Sequence, residues 1–310
     1  MGNLSDNSRG ALLMTGSMAA FTLNDAFMKA LGEHLPLFQA IFLRGVGVTV
    51  VLIALTAWMG QLRLAASRRD WWLMSIRAVA EMAAAWFFIT ALFHMPFANL
   101  SAILQALPLA VTLAGAVFLK ETVGWRRMSA ILIGFAGVML IVRPGAEGFT
   151  IYALYGLATV ACVTLRDIVS RMMSRELPSL MVASVSALGV TLFAAAGSAF
   201  ETWAPVTTPV LYMLLGAVVF VFGGYLFSVS AMRVGDLAFV APFRYASLLV
   251  ALVVGALVFG TFPDPLTLIG AGIVVATGLF TLYRERTRRA EARIQPEREG
   301  EPRLQVPPVQ

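Results

Sequence analysis

Ten apolar runs, each long enough to cross a bilayer, constrain this chain more than any other feature. A helix needs about 20 apolar residues to traverse roughly 30 Å of hydrocarbon. Such runs occupy residues 10–31, 36–59, 72–94, 96–119, 125–142, 151–173, 179–200, 208–232, 237–260 and 265–283. Turn-forming and charged stretches separate them, among them "GEHLP", "QLRLAASRRD", "KETVGW" and "TFPDP". Charged residues make up 13% of the chain, whereas soluble domains carry about a quarter, so a water-facing surface around this much apolar chain is excluded. The expectation is an all-α integral membrane protein with ten transmembrane helices.

The net charge of +6 is distributed in a way that points to lipid and not to nucleic acid. Basic residues gather in alternate loops: Arg63, Arg68 and Arg69, then Lys120, Arg126 and Arg127, then Arg171 and Arg175, then Arg233. The C-terminal segment adds Arg284, Arg286, Arg288 and Arg289, while the intervening loops hold little beyond Lys29 and Arg143. Positive residues favour the cytoplasmic side, so both termini are expected there, with residues 1–9 a short cytoplasmic lead and 284–310 a disordered cytoplasmic tail. The single cysteine, Cys162, makes an internal disulfide or a multi-cysteine metal site impossible. No zinc-protease or phosphate-loop motif occurs, so the chain reads as neither an enzyme nor an ATP-driven machine, and no cofactor or metal is expected.

An internal repeat is visible at an offset of 142 residues. "TLND" (Thr22–Asp25) matches "TLRD" (Thr164–Asp167), Lys29 matches Arg171, Leu35-Pro36 matches Leu177-Pro178, and "GVT" recurs at Gly47 and Gly189. The halves are residues 10–142 and 151–283, with five spans each. Because five is odd, the second copy crosses the membrane in the opposite sense. Inverted repeats of this kind underlie many secondary transporters, whose substrate site lies near the midplane between the halves. A channel would show a ring of like charge or a carbonyl-lined filter, and neither is evident.

Two long stretches, Leu107–Ile141 and Ala246–Phe280, resemble the drug/metabolite transporter superfamily in its EamA branch. Each ends a span in a turn ("LKE" in the first) and enters a glycine-spaced helix. That resemblance implies a ten-span carrier in a bacterial inner membrane, working by alternating access on a small-molecule substrate among membrane lipids. It also implies a possible homodimer through the small-residue faces of the fifth and tenth spans, with packing of those faces within one chain as the leading reading. "NDAFMKALG", "FLRG", "APFRY" and "FPDP" are similar to importers of S-adenosylmethionine and of riboflavin. Riboflavin uptake is the leading expectation, with S-adenosylmethionine uptake or amino-acid or drug efflux as alternatives.

Ionisable residues within spans mark function by default. Arg77 and Glu81, four apart, share one helix face and are expected to pair. Asp25 and Arg44 sit at similar depths on neighbouring helices, as do Asp167 and Arg244, which makes two further pairs. Arg166 points about 100° from Asp167 on an ideal helix and is expected to reach lipid phosphate or a loop. Proline breaks at Pro108 and Pro242 are tolerable in a membrane only against protein or a water-lined cavity. The fourth and ninth spans are therefore predicted to line the central site, with Gln105, Arg244 and Tyr245 facing it and Trp86 and Tyr225 offering rings to a planar ligand. The other tryptophans (Trp58, Trp71, Trp72, Trp125 and Trp203) fall at span ends and read as interfacial anchors.

Overall fold

The computed structural model describes residues 6–61, 67–144, 149–174, 176–234 and 237–299. Arg63 and Arg175 of the basic loops, and residues 300–310 of the tail, lie outside them. The helices are α1 (Asp6–Leu31), α2 (Leu37–Trp58), α3 (Arg68–His94), α4 (Phe97–Leu104), α5 (Leu107–Phe118) and α6 (Trp125–Val142). The second half holds α7 (Ile151–Met172), α8 (Ser179–Ser198), α9 (Thr208–Val234), α10 (Leu237–Val240), a 3₁₀ turn (Ala241–Tyr245), α11 (Ala246–Leu257) and α12 (Pro265–Glu299).

These elements make ten spans. Among the described residues, eight are long and apolar enough to cross a membrane by length and composition, counting α4 and α5 as one. α1 falls short of that measure because Ser17, Thr22, Asn24 and Asp25 interrupt it. The ninth span is broken into α10, the 3₁₀ turn and α11. Both proline-marked spans are interrupted as expected, the fourth at Gln105-Ala106 and the ninth at the turn carrying Pro242. The last helix departs from expectation by continuing to Glu299, where an irregular tail was predicted. Glu, Arg and Ala, all strong helix formers, dominate residues 284–293, and they carry the helix past the end of the apolar run.

The packing obeys the repeat. α1 lies along α9, α3 along α7, α2 along α8, α6 along α12 and α4 along α11. In span order these are first with eighth, third with sixth, second with seventh, fifth with tenth and fourth with ninth. Exchanging the halves turns the first pairing into the second and leaves the other three unchanged, as a two-fold axis between inverted repeats requires.

Lipid tails offer helices no hydrophobic reason to associate, so close van der Waals packing must hold them. On the α1–α9 contact, a Cβ at Gly224 would lie 2.8 Å from the Phe21 ring, and Ser17 donates to the Gly224 carbonyl at 2.8 Å. On the α6–α12 contact, a Cβ at Gly270 would come within 2.6 Å of the Gly137 carbonyl, so these glycine faces pack within the chain. Thr49 and Thr191, equivalent positions of the two repeats, share a hydrogen bond of 2.9 Å where α2 meets α8.

The two ends of the bundle are packed differently. Toward the face opposite the termini, a continuous apolar core joins Leu31 of α1, Leu92 of α3, Phe97 and Ile103 of α4, and Val210 of α9. Polar contacts reinforce it: Lys29 donates to the Leu92 and Met95 carbonyls at 2.8 and 2.9 Å. Glu201 accepts from the backbone amides that begin α2, and the Gln39 side chain bonds Ala204 both ways. On the same face Arg143 pairs with Asp264. Desolvation opposes the Asp264 carboxylate, but hydrogen bonds from Thr267 and the Arg143 guanidinium outweigh it and hold its pKa at about 2. Toward the termini, buried apolar packing outside this core shrinks, among the described residues, to two small clusters, one around Met14, Ala231 and Val240 and one around Met74, Met181 and Val182.

Candidate functional site

A cavity of about 400 Å³ lies between the halves. Its walls come from the first three spans and from their repeat-mates α7, α8 and α9, with Leu104 and Leu107 at the break of the fourth span. At the repeat offset of 142 residues, wall positions pair off: Phe21 with Val163, Asn24 with Arg166, Ile41 with Ala183, Arg44 with Ser186, and Val48 with Val190. The cavity therefore straddles the pseudo-two-fold axis that relates the halves.

The wall chemistry does not share the symmetry. Arg44 donates from Nε to Asn24 Oδ1 at 2.9 Å, and Asn24 Nδ2 donates to Asp25 Oδ1 at 2.8 Å. The expected Asp25–Arg44 association is thus mediated by the amide between them. It leaves the two terminal nitrogens of Arg44 with no acceptor among the described residues. In the other half, Arg166 bonds Glu81 at 3.1 Å and Asp167 at 2.8 Å. Glu81 also lies 3.8 Å from Arg77, so the pair expected from their spacing is present. Arg77 is held further by Ser170 at 2.9 Å and by Ser186. The wall carries three guanidiniums (Arg44, Arg77 and Arg166) and two carboxyl groups (Asp25 and Glu81), and Asp167, outside the wall, pairs with Arg166.

Several sequence expectations need correction. Arg166 neither avoids Asp167 nor reaches for lipid; its long side chain curls back along the helix and bridges α7 to α3. Asp167 therefore pairs with Arg166 and not with Arg244. Arg244 is exposed, on a 3₁₀ turn packed against α1 and α12. A 3₁₀ segment turns 120° per residue instead of 100°, which alters the direction that an unbroken helix would have given the side chain. Tyr245 lines a separate apolar groove of about 480 Å³ beside Pro242 and Leu248, with its hydroxyl crowded against Gly278. Gln105 is buried and donates to Ser247 at 3.0 Å, stitching the broken fourth and ninth spans together. Trp86 packs on Phe87 and Tyr155 with centroids 4.9 and 5.6 Å away, behind the wall to which Phe88 belongs. Tyr225 does line the cavity, edge-on to Phe21 at 5.3 Å.

Asn24, Phe21 and Ser186 were not singled out from the sequence. The signal for two of them was the repeat itself, since Asn24 and Ser186 are the equivalents of Arg166 and Arg44. Because Arg244 stands outside the cavity, Arg244→Lys and Arg244→Ala are expected to keep transport within about twofold of the parent, as surface changes away from a site generally have small effects. Loss of transport at normal membrane abundance would return the guanidinium to the site.

Comparison with known proteins fits this geometry. The family model described as the EamA-like transporter family matches the chain twice, over residues 8–143 and 150–283. An S-adenosylmethionine uptake transporter of Rickettsia bellii is 26% identical over 275 residues, covering 87% of this chain and 92% of that one. A riboflavin transporter of Vibrio cholerae is 31% identical over 195 residues, covering 62% and 65%. The pseudopaline exporter CntI of Pseudomonas aeruginosa is 25% identical, covering 89% and 96%. A solved crystal structure superposes with a TM-score of 0.61 at 19% identity, covering 91% of this chain and 98% of its own, a likeness of fold.

Proposed function

The chain belongs to the EamA-like transporter family and is a multi-pass membrane transporter, and we propose that it imports S-adenosylmethionine or a close relative across a bacterial inner membrane. The observation that carries this reading is the Arg44–Asn24–Asp25 chain on the cavity wall. One amide holds a guanidinium and a carboxylate side by side, with the Arg44 fork unoccupied. A planar fork suits bidentate binding of a carboxylate, and a neighbouring carboxylate suits an ammonium. Together they form a receptor for an α-amino-carboxylate.

The rest of the ligand also has partners. Phe21, Phe88 and Tyr225 offer rings to a base, and Glu81 offers negative charge to a sulfonium. An arginine alone would repel that cation; here Glu81 and Asp25 on the wall, with Asp167 paired to Arg166 behind it, offset the guanidiniums. The likeness to the Rickettsia transporter along 87% of the chain supports the same substrate. With both termini in the cytoplasm, as the basic loops suggest, the thickly packed face is the outer one. The state described is then closed to the outside.

Riboflavin is the second reading, supported by the aromatic walls and the Vibrio relative, although riboflavin carries neither carboxylate nor ammonium for Arg44 and Asp25. Uptake of labelled S-adenosylmethionine and of labelled riboflavin by cells expressing the chain separates the two. S-adenosylmethionine accumulation, competed by the unlabelled compound, is expected. Riboflavin accumulation alone would replace the first reading with the second, and accumulation of neither would point to efflux or to another substrate.

A further inference from the structure

Each repeat carries one basic residue in the last turn of its first helix: Lys29 on α1 and Arg171 on α7, at the 142-residue offset. The two are engaged differently. Lys29 donates to the Leu92 and Met95 carbonyls at the end of α3, at 2.8 and 2.9 Å. The last carbonyls of a helix lack partners within it and carry partial negative charge. An ammonium there ties α1 to α3 and helps shut the face opposite the termini. Arg171 pairs instead with Glu121, 3.2 Å away, and both side chains are half-exposed. The helices show the same inequality: α1 touches α3, whereas α7 and α9 share no comparable contact among the described residues.

Glu121 sits in a turn that the second repeat copies. From Ala91 and Ala231 onward the offset is 140 residues. Lys120 and Gly260, equivalents at that offset, both have a left-handed backbone, with φ of 55° and 60°. The next amides, of Glu121 and Thr261, donate to the Gly115 and Gly255 carbonyls at 3.2 and 2.9 Å. Thr261 therefore stands to Lys29 as Glu121 stands to Arg171. Lys29 already lies near that turn, its Nζ 5.7 Å from the centroid of Phe259. The turn offers Lys29 a hydroxyl where its copy offers Arg171 a carboxylate.

We infer that Lys29 and Arg171 are alternating latches: when the halves exchange conformations, Lys29 leaves α3 for the turn at Thr261, and Arg171 leaves Glu121 to cap the end of α9, where Met232 is the equivalent of Leu92. Inverted repeats allow this exchange because each half can take the conformation that the other holds. The two resting places are unequal. Arg171 has an acid partner while the face opposite the termini is shut, and Lys29 has only a hydroxyl when that face is open. The Glu121–Arg171 pair thus biases the chain toward the shut state described here. An exposed ion pair shifts such an equilibrium by about two- to fivefold.

The test needs no substrate, so its result is independent of the choice between S-adenosylmethionine and riboflavin. Val210, 3% exposed in the apolar core of the shut face, is replaced by cysteine in a Cys162→Ala background. The full chain in lipid nanodiscs is then labelled with a maleimide, and the labelling rate reports opening of that face. Glu121→Thr, which gives Arg171 the partner that Lys29 has, is expected to raise the rate about two- to fivefold. Thr261→Glu, which gives Lys29 the partner that Arg171 has, should raise it likewise. Each rise should vanish when its cation is removed as well, by Arg171→Gln or Lys29→Gln, measured against that cation variant alone. Unchanged labelling in either Glu121→Thr or Thr261→Glu overturns the inference. So does a rise that survives removal of the cation, which would mark a loosened turn and not a latch.

Discussion

Arg44→Ala is expected to reduce S-adenosylmethionine uptake at least thirtyfold while leaving membrane insertion intact. Truncating one member of a desolvated, hydrogen-bonded charge pair costs about 2–5 kcal/mol, and each 1.4 kcal/mol is a factor of ten. Here the loss falls on the ligand: the fork that would receive its carboxylate disappears, and Asn24 loses the group to which its Oδ1 is bound. Arg44→Lys should fall between, because a lysine restores charge but not two parallel donors. A substrate analogue sharpens the measurement. Decarboxylated S-adenosylmethionine should be a poor substrate for the parent chain, and Arg44→Ala should no longer discriminate against it. If the variant transports both compounds as the parent does, Arg44 is not the carboxylate receptor.

Glu81→Gln is the second change of large effect, and it acts on stability as well as transport. Glu81 lies against two guanidiniums, Arg166 at 3.1 Å and Arg77 at 3.8 Å, on facing helices of opposite halves. Neutralising it leaves two cations together in a partly desolvated site, at a cost of roughly 2 kcal/mol. A melting temperature lower by several degrees is expected, with uptake down by tenfold or more. Adding Arg166→Gln removes one cation and should recover most of the lost stability, the coupling expected of residues in contact. Recovery of stability without recovery of uptake would mark Glu81 as a contact for the cationic substrate. Recovery of both would make it a packing element only, and parental stability and uptake in the single variant would deny it either role.

The sequence by itself determined the class, the number of spans, the inverted repeat and the family. Each of these follows from local quantities: run length against bilayer thickness, turn residues between runs, and short matches at one offset. It also supplied most of the ionisable wall, since a charge inside an apolar run has few places to go. What the sequence could not decide was direction. Whether Arg244 faced the cavity depended on a 3₁₀ turn at Pro242 that changed the angle per residue. Whether Arg166 joined Asp167 depended on a flexible side chain finding Glu81 across the gap. Depth along a helix can be counted in residues; azimuth around it is set by which neighbour packs where. Only the tertiary structure, by laying α1 on α9 and α3 on α7, brought Asn24, Arg44, Glu81 and Arg166 to a single cavity.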